Sequence, residues 1–388
     1  MVRISTFYFT LFFSFAVVIM FFPLYLQHLG LSTSQVGIIV AMGSVVSVIG
    51  QPIWGYISDK LHSIKKVLLI VMMGSLIMSF FLYSVNTFFT ILIIFTCFMF
   101  FMTSCGPLTE SIAIRFAAEN NKNYGVMRSF GAIGTGTSSL VLGTLLGVIG
   151  IHYLGWMYAS IMMIAIPLVF LLQDPIQVES KEPITISSVK KLMGNKKYIW
   201  MLFISFLLLI THKMNDSLFS IYLSELGARE AEIGRAWMVA TFSSVPAFAL
   251  TGYLIKRCPE IILISMAGFL YALRWFLYGY WDEPVVLIYL QMMQGVTFPI
   301  LFVSAFSYVT KLIPKELLGT GQLLFIASTM GLGGLFGSAG GGWYMEHFSP
   351  QATYYLGSFI TLGGAMLATA TIFIVQRKSK REKSKIQE

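Results

Sequence analysis

Charge is what this chain of 388 residues most lacks: Asp, Glu, Lys and Arg together make up 11% of it, against roughly 25% in soluble domains. With 56% hydrophobic residues and a mean hydropathy of +0.78, too little polar material remains to cover a water-facing globule of this size. A soluble domain is therefore excluded. Cysteine is scarce too: Cys97, Cys105 and Cys258 show no CxxC or Cys/His spacing, so neither a disulfide framework nor a metal site is expected, and the three read as small buried apolar residues. Also missing are a Ser/His/Asp set, an HExxH motif and a glycine-rich phosphate loop with its lysine and strand context, which argues against an enzyme and against an ATP-driven pump.

What the chain does have is one long apolar run after another. Crossing a bilayer core as a helix takes about 20 predominantly apolar residues. Twelve such stretches follow in order, near 5–27, 35–57, 66–84, 88–112, 127–150, 152–173, 199–223, 232–255, 260–280, 285–310, 318–344 and 352–376. None alternates apolar and polar residues over about ten positions, as a barrel strand would. The fold class expected is an all-α membrane protein of twelve transmembrane helices. No small-residue cleavage site follows the first run, so it is expected to persist as a helix of the mature protein.

The formal net charge of +9 would suggest nucleic acid if it formed one basic face, but the cations are spread among loops. Twenty of the 26 lysines and arginines fall on one side of the alternating spans: Arg3, Lys60, Lys65, Lys66 and Lys122, the group from Lys181 to Lys197, Lys256, Arg257, Lys311 and Lys315, and the run from Arg377 to Lys385. Arg229 alone sits clearly in a loop on the other side. Cytoplasmic loops carry the Lys/Arg excess, so the reading is a multi-pass protein of the cytoplasmic membrane with both termini in the cytoplasm. The partners expected are the lipid bilayer, a small-molecule substrate and protons, with no nucleic acid, and the protein is expected to be a monomer.

The sequence also repeats itself. Phe22-Pro-Leu-Tyr25-Leu26-Gln-His-Leu29-Gly30 returns 197 residues later as Phe219-Ser-Ile-Tyr222-Leu223-Ser-Glu-Leu226-Gly227, and the same offset carries Gly37 to Gly234 and Gly55-Tyr56 to Gly252-Tyr253. The only long polar segment between spans follows the sixth. The organisation read from this is a six-helix bundle over 1–173, a cytoplasmic linker over 174–198, a second pseudo-symmetric six-helix bundle over 199–376 and a basic tail over 377–388. Parallel repeats of this kind are typical of secondary transporters that alternate access to a midplane site.

Between the second and third spans, Gly55-Tyr-Ile-Ser-Asp59-Lys60, followed by Lys65-Lys66, resembles the loop signature of the major facilitator superfamily, with His62 where that signature has a glycine. The resemblance implies a conformational role for Gly55, Asp59 and Lys60, with the Asp59 carboxylate available to a neighbouring helix N-terminus. Pro107-Leu-Thr-Glu110 and, eighteen residues on, Arg128 within Tyr124-Gly125-Val126-Met127-Arg128-Ser129-Phe130-Gly131 are similar to the lactose permease branch and its phenylpropionate and nucleoside relatives. There the matching pair binds sugar hydroxyls, which suits a guanidinium's paired donors and a carboxylate's acceptors. Thr135 stands where that branch has a sugar-stacking tryptophan. Arg274 matches an arginine of its proton-coupling cluster, while Gln291, Gln294 and Thr297 replace lysine, histidine and glutamate.

A glutamine carries no proton, so coupling would need other acids. Asp216 lies three residues from Lys213 and four from His212, on one helical face, and these join Glu110 as proton-coupling candidates. The alternative is a static Lys213–Asp216 pair. The substrate-binding candidates are Glu110, Arg128, Arg274, Gln291, Gln294 and Thr297. Arg115 and Arg235 read as snorkelling cations, Trp54 and Trp156 as lipid-facing or interfacial, and the glycines of the fifth and eleventh spans as close-packing positions. The function expected is import of a small polar organic solute, sugar-like by preference, by proton symport, with no cofactor beyond the proton gradient. The alternatives are efflux of amphiphiles, uptake of an aromatic acid or nucleoside, and a non-transporting sensor on the same scaffold.

Overall fold

The computed structural model describes residues 1–174 and 186–387. Lys181 and the side chains of the basic tail from Arg377 lie outside the described residues. Among the described residues twelve helices are long and apolar enough to cross a membrane: α1 (Val2–His28), α2 (Thr33–Lys60), α3 (Ile64–Leu82), α4 (Phe88–Glu119), α5 (Tyr124–Ile149), α6 (Ile151–Phe170), α7 (Lys196–Glu225), α8 (Glu230–Leu254), α9 (Glu260–Tyr280), α10 (Pro284–Lys311), α11 (Lys315–His347) and α12 (Pro350–Gln387). A short linker helix, Ile186–Met193, precedes α7. An even number of crossings puts both termini at one end of the bundle, called proximal below. The opposite end is distal.

Local chemistry repeats with the sequence. At the distal end of α1, Gly30 adopts φ +84° and Leu31 N–H closes on the Leu26 carbonyl at 3.2 Å; at the end of α7, Gly227 has φ +85° and Ala228 N–H bonds Leu223 O at 2.9 Å. Only a residue without Cβ takes this left-handed turn cheaply. The next helices begin alike. The Gln35 side chain accepts from Ser32 N–H at 3.0 Å before α2, and Glu232 accepts from Arg229 N–H at 2.9 Å before α8. Each satisfies a donor that a helix start leaves open.

The packing is correspondingly two-fold. In the first half α1 lies against α5, α2 against α4, and α3 against α4 and α6; in the second, α7 against α11, α8 against α10, and α9 against α10 and α12. The halves meet where α2 packs on α11, α5 on α8, and α1 on α7. Two of these contacts are backbone to backbone at the distal end. A Cβ on Gly37 would collide with the Ser338 carbonyl, and one on Gly234 with that of Ser139; Gly342 and Gly143 supply the facing Cα atoms. Glycine lets two helices approach this closely. Cross-half bonds join them: Ser220 Oγ donates to Met20 O at 2.6 Å, in the π-helical stretch Val17–Phe21 of α1, and Glu346 Oε2 accepts from Ser34 N–H at 2.7 Å.

Toward the proximal end these contacts stop. The tight approaches involve residues 33–48 of α2 against 331–342 of α11, and 136–143 of α5 against 230–242 of α8. Beyond them a Cβ at Gly55 or at Gly252 would meet nothing within 4 Å. The halves are closed distally and parted proximally.

Three expectations change. Trp54 is buried rather than lipid-facing, because its indole Nε1 donates to the Phe100 carbonyl at 3.0 Å and its ring packs on Phe100 and Phe101. Of the cysteines only Cys105 is buried; Cys97 is exposed on α4 and Cys258 is half-buried. The carboxylate at the start of α3 is that of Asp174, which accepts from Lys65 N–H at 3.1 Å and from Ser63 Oγ, while Lys65 Nζ reaches the Phe170 and Leu172 carbonyls at 2.9 and 2.8 Å. Asp59 does not fill that place. The end of α6 is pinned to α3 by a helix-start interaction that favours an anion.

Candidate functional site

Between the halves, at the depth of the π-helical stretch in α1, lies a cavity of about 230 Å³. The first half contributes Ser44 and Ser47 of α2 and Thr103 of α4; the second contributes Lys213, Asp216 and Ser217 of α7. The two charges on its wall are paired, Lys213 Nζ to Asp216 Oδ2 at 2.9 Å. His212 approaches the same oxygen at 3.6 Å from a buried position, stacked on Phe298 with ring centroids 4.3 Å apart and with Nδ1 at 3.1 Å from the Tyr271 hydroxyl. The three residues expected to share a helical face therefore meet at one carboxylate oxygen.

Behind this wall is a sealed polar network. Arg274 is 0% exposed, donates through Nη2 to Gln294 Oε1, and lies 3.5 Å from Gln291 Oε1. Gln294 also accepts from Asn215 Nδ2 at 3.0 Å, and Asn215 accepts from the Tyr354 hydroxyl at 3.2 Å. The guanidinium sits over Trp275 at 4.2 Å and Tyr278 at 5.0 Å. Its Nε and Nη1 have no hydrogen-bond acceptor, and neither does the side-chain nitrogen of Gln291 acquire one. A buried cation with unmet donors costs several kcal/mol. The Thr297 hydroxyl donates to the Met293 carbonyl of its own helix at 2.7 Å and turns its oxygen toward the Tyr271 hydroxyl of α9.

The Glu110–Arg128 pair stands apart from both. Arg128 Nε donates to Glu110 Oε1 at 3.0 Å, with side chains 38% and 39% exposed on the proximal, parted side. Glu110 follows Thr103 of the cavity wall by seven residues on α4, roughly 10 Å along the axis. An ion pair this open adds only ~0–1 kcal/mol to stability. Aromatic groups surround it: Phe12 lies under the guanidinium at 4.7 Å, and the hydroxyl of the buried Tyr8 lies beside that of Tyr124. Thr135 does not replace the missing tryptophan, since its hydroxyl bonds back to the Gly131 carbonyl at 3.1 Å. Gly55, Asp59 and Lys60 occupy the proximal end of α2, away from the cavity.

A carboxylate beside a guanidinium, with an aromatic plane beneath it and a tyrosyl hydroxyl buried behind it, thus stands half-exposed on the parted side of two six-helix halves. The family model named MFS_1 like family matches residues 1–356. The chain belongs to that family of major facilitator transporters. Among members of known sequence it is similar to the uncharacterized transporter YwbF of Bacillus subtilis (strain 168), 27% identical over 92% of this chain and 88% of that protein. It is also similar to the maltose permease of Geobacillus stearothermophilus, 26% identical over 93% and 92%. In fold it matches a point mutant of the nucleoside transporter NupG with a TM-score of 0.87 at 16% identity, covering 95% of this chain and 98% of the other. This MFS_1 like protein is thus a multi-pass membrane transporter.

Two groups escaped the reading of its sequence. Tyr8 and Phe12 lie one turn apart on α1, in a span so uniformly apolar and aromatic that no position stands out. Asn215 did carry a signal, an amide in the middle of a span, where unpaired polar groups are costly.

Proposed function

We propose that this transporter imports a small polar organic solute, a sugar or sugar-like compound, into the cytoplasm by alternating access coupled to inward proton movement. The observation that carries the reading is the half-exposed Glu110–Arg128 pair with Phe12 beneath the guanidinium and Tyr8 beside it. A polyol offers donors and acceptors together, so its hydroxyls can bond both the carboxylate and the guanidinium while an apolar ring face lies on Phe12. The maltose permease among the relatives supports a sugar. The one-sided lysines and arginines support cytoplasmic termini, and with them a parted end that faces the cytoplasm.

In this reading Asp216 carries the proton. Its carboxylate is paired with Lys213 on the cavity wall and can exchange that partner for a proton as access alternates, with His212 at the same oxygen. Gln294 and Thr297 cannot titrate and take no part in proton transfer. Arg274, Gln291 and Gln294 orient the second half's polar groups from behind the wall. Gly55, Asp59 and Lys60 act when the proximal end closes.

A second reading, uptake of an organic acid, has one observation in its favour: Lys213 and Arg274 face a single carboxylate, Asp216, which leaves a surplus positive charge near the cavity. Uptake into proteoliposomes of sugars, nucleosides and aromatic acids, with internal pH recorded, separates the readings. Saturable sugar uptake with internal acidification is expected. Uptake confined to acids selects the second reading, and uptake without proton movement removes the symport.

A further inference from the structure

A second, apolar hollow takes no part in the site described above. It is a crevice of about 600 Å³ between α2 of the first half and α7 and α11 of the second, walled by Val45, Val48, Phe203, Phe206, Leu324 and Ala327, with Ser328 as its one hydroxyl among the described residues. Surface of this kind holds no water network, because water needs two or more polar partners. Its place at the seam of the two halves, on membrane-spanning helices, puts the acyl chains of the bilayer beside it.

The proximal rim of the crevice has the opposite chemistry. Met193, at the end of the linker helix, and Ile199, in the first turn of α7, both line it. Three residues before Met193 is Lys190, and three before Ile199 is Lys196, a spacing that sets each lysine one turn away on the same helix face, Lys196 at the proximal start of α7. Lys190 and Lys196 are exposed, as are their neighbours Lys191 and Lys197. Two lysine pairs thus flank the mouth of an apolar slot, joined by the short turn at Gly194 and Asn195. An apolar slot topped by ammonium groups at the membrane surface matches a molecule with a hydrocarbon chain below a phosphate.

We propose that this crevice binds an anionic phospholipid, one acyl chain lying between α2 and α11 and the headgroup phosphate held by Lys190 and Lys196. A zwitterionic lipid of equal chain length fits the slot as well but carries a compensating ammonium that the lysines repel, so the site discriminates by headgroup. Because one wall belongs to each half, the bound chain occupies the seam along which the halves must move.

The test uses the full chain, purified in detergent, delipidated, and titrated with phosphatidylglycerol or phosphatidylcholine of identical chains, bound lipid being counted by native mass spectrometry. Phosphatidylglycerol is expected to bind at least tenfold more tightly. The exposed double substitution K190Q/K196Q is expected to bring the two lipids to equal affinity, and Ala327→Trp or Val45→Trp, which fill the slot from opposite walls, to lower the affinity for both. Equal affinities in the unaltered protein overturn the proposal without recourse to any variant. So does a preference that survives K190Q/K196Q, or lipid retention unchanged in a tryptophan variant that elutes as a monodisperse peak.

Discussion

The two ends of this transporter use the same repeated glycines in opposite ways. Gly37 and Gly234, one per half and 197 residues apart, are pressed against carbonyl oxygens of the facing half at the distal end. Gly55 and Gly252, related by the same offset, face open space at the proximal end. A bare Cα is obligatory in the first pair because backbones touch there. In the second pair no packing in this arrangement requires it. The contrast teaches that the repeat is preserved in chemistry at both ends while the contact is made at only one, which is what a carrier held with one side closed must look like. Under the alternating access proposed above, the distal seam is the one to be broken and the proximal one the one to be made.

The comparison can be broken most directly at the distal seam. Gly234→Leu places a branched side chain where the Ser139 carbonyl sits, and uptake in proteoliposomes is expected to fall to background with the protein still folded. Undiminished uptake would mean that the seam need not close. Next in size is Arg128→Ala on the parted side. It removes the donors beside Phe12, and saturable uptake is expected to drop by about a hundredfold, at roughly 2–3 kcal/mol of lost charged hydrogen bonding, with little change in thermal stability because the pair is so exposed. A hundredfold loss matched by a large fall in melting temperature would recast the pair as structural.

Asp216→Asn is expected to abolish proton-driven accumulation while leaving solute exchange across the membrane, measured with labelled solute on both sides. Loss of both would make the Lys213 pair a static element. A smaller effect is expected of Ser220→Ala, whose hydroxyl donates to Met20 O across the seam and accepts from Trp237 Nε1 at 2.9 Å. The distal closure should lose about 1 kcal/mol, the worth of the one bond that crosses the seam, read as faster labelling of a cysteine placed at Ser34. Least of all, Gly55→Ala should leave thermal stability unchanged or raise it by roughly 0.5–1 kcal/mol, since the methyl group meets nothing and alanine favours a helix. A marked destabilisation would show that the proximal glycine is already in contact.

Much of the fold is legible in the sequence because a bilayer imposes a length and a composition that no other environment demands. The twelve spans and their order follow from that, and the two-fold repeat, down to the paired turns at Gly30 and Gly227, from identities 197 residues apart. The faces of the helices do not. Trp54 looks like any interfacial tryptophan until Phe100 and Phe101 of α4 cover it. Asp59 and Asp174 are both acids beside proximal loops, and only the three-dimensional approach of α6 to α3 selects Asp174 as the anion at a helix start.

The candidate site divides in the same way. Glu110, Arg128, Asp216, Lys213, His212 and Arg274 can be picked out as charges or titratable groups inside apolar spans, which is a one-dimensional signal with a physical cost behind it. Their grouping is not one-dimensional. The six separate into a half-exposed pair, a cavity-wall cluster and a sealed arginine network, and aromatic residues such as Phe12 enter the site with no polarity to announce them.

By itself the sequence determined that the chain spans a membrane twelve times, that it was built by repeating six spans, and that a few charges remain inside. The spans and the cost of their charges rest on transfer free energies that each segment meets alone, and the repeat on matching residues 197 positions apart. Which end is closed, which charges meet and where a solute could lie were decided only by tertiary structure. Helix packing depends on the few ångströms between facing side chains, and that separation belongs to pairs of segments rather than to either one.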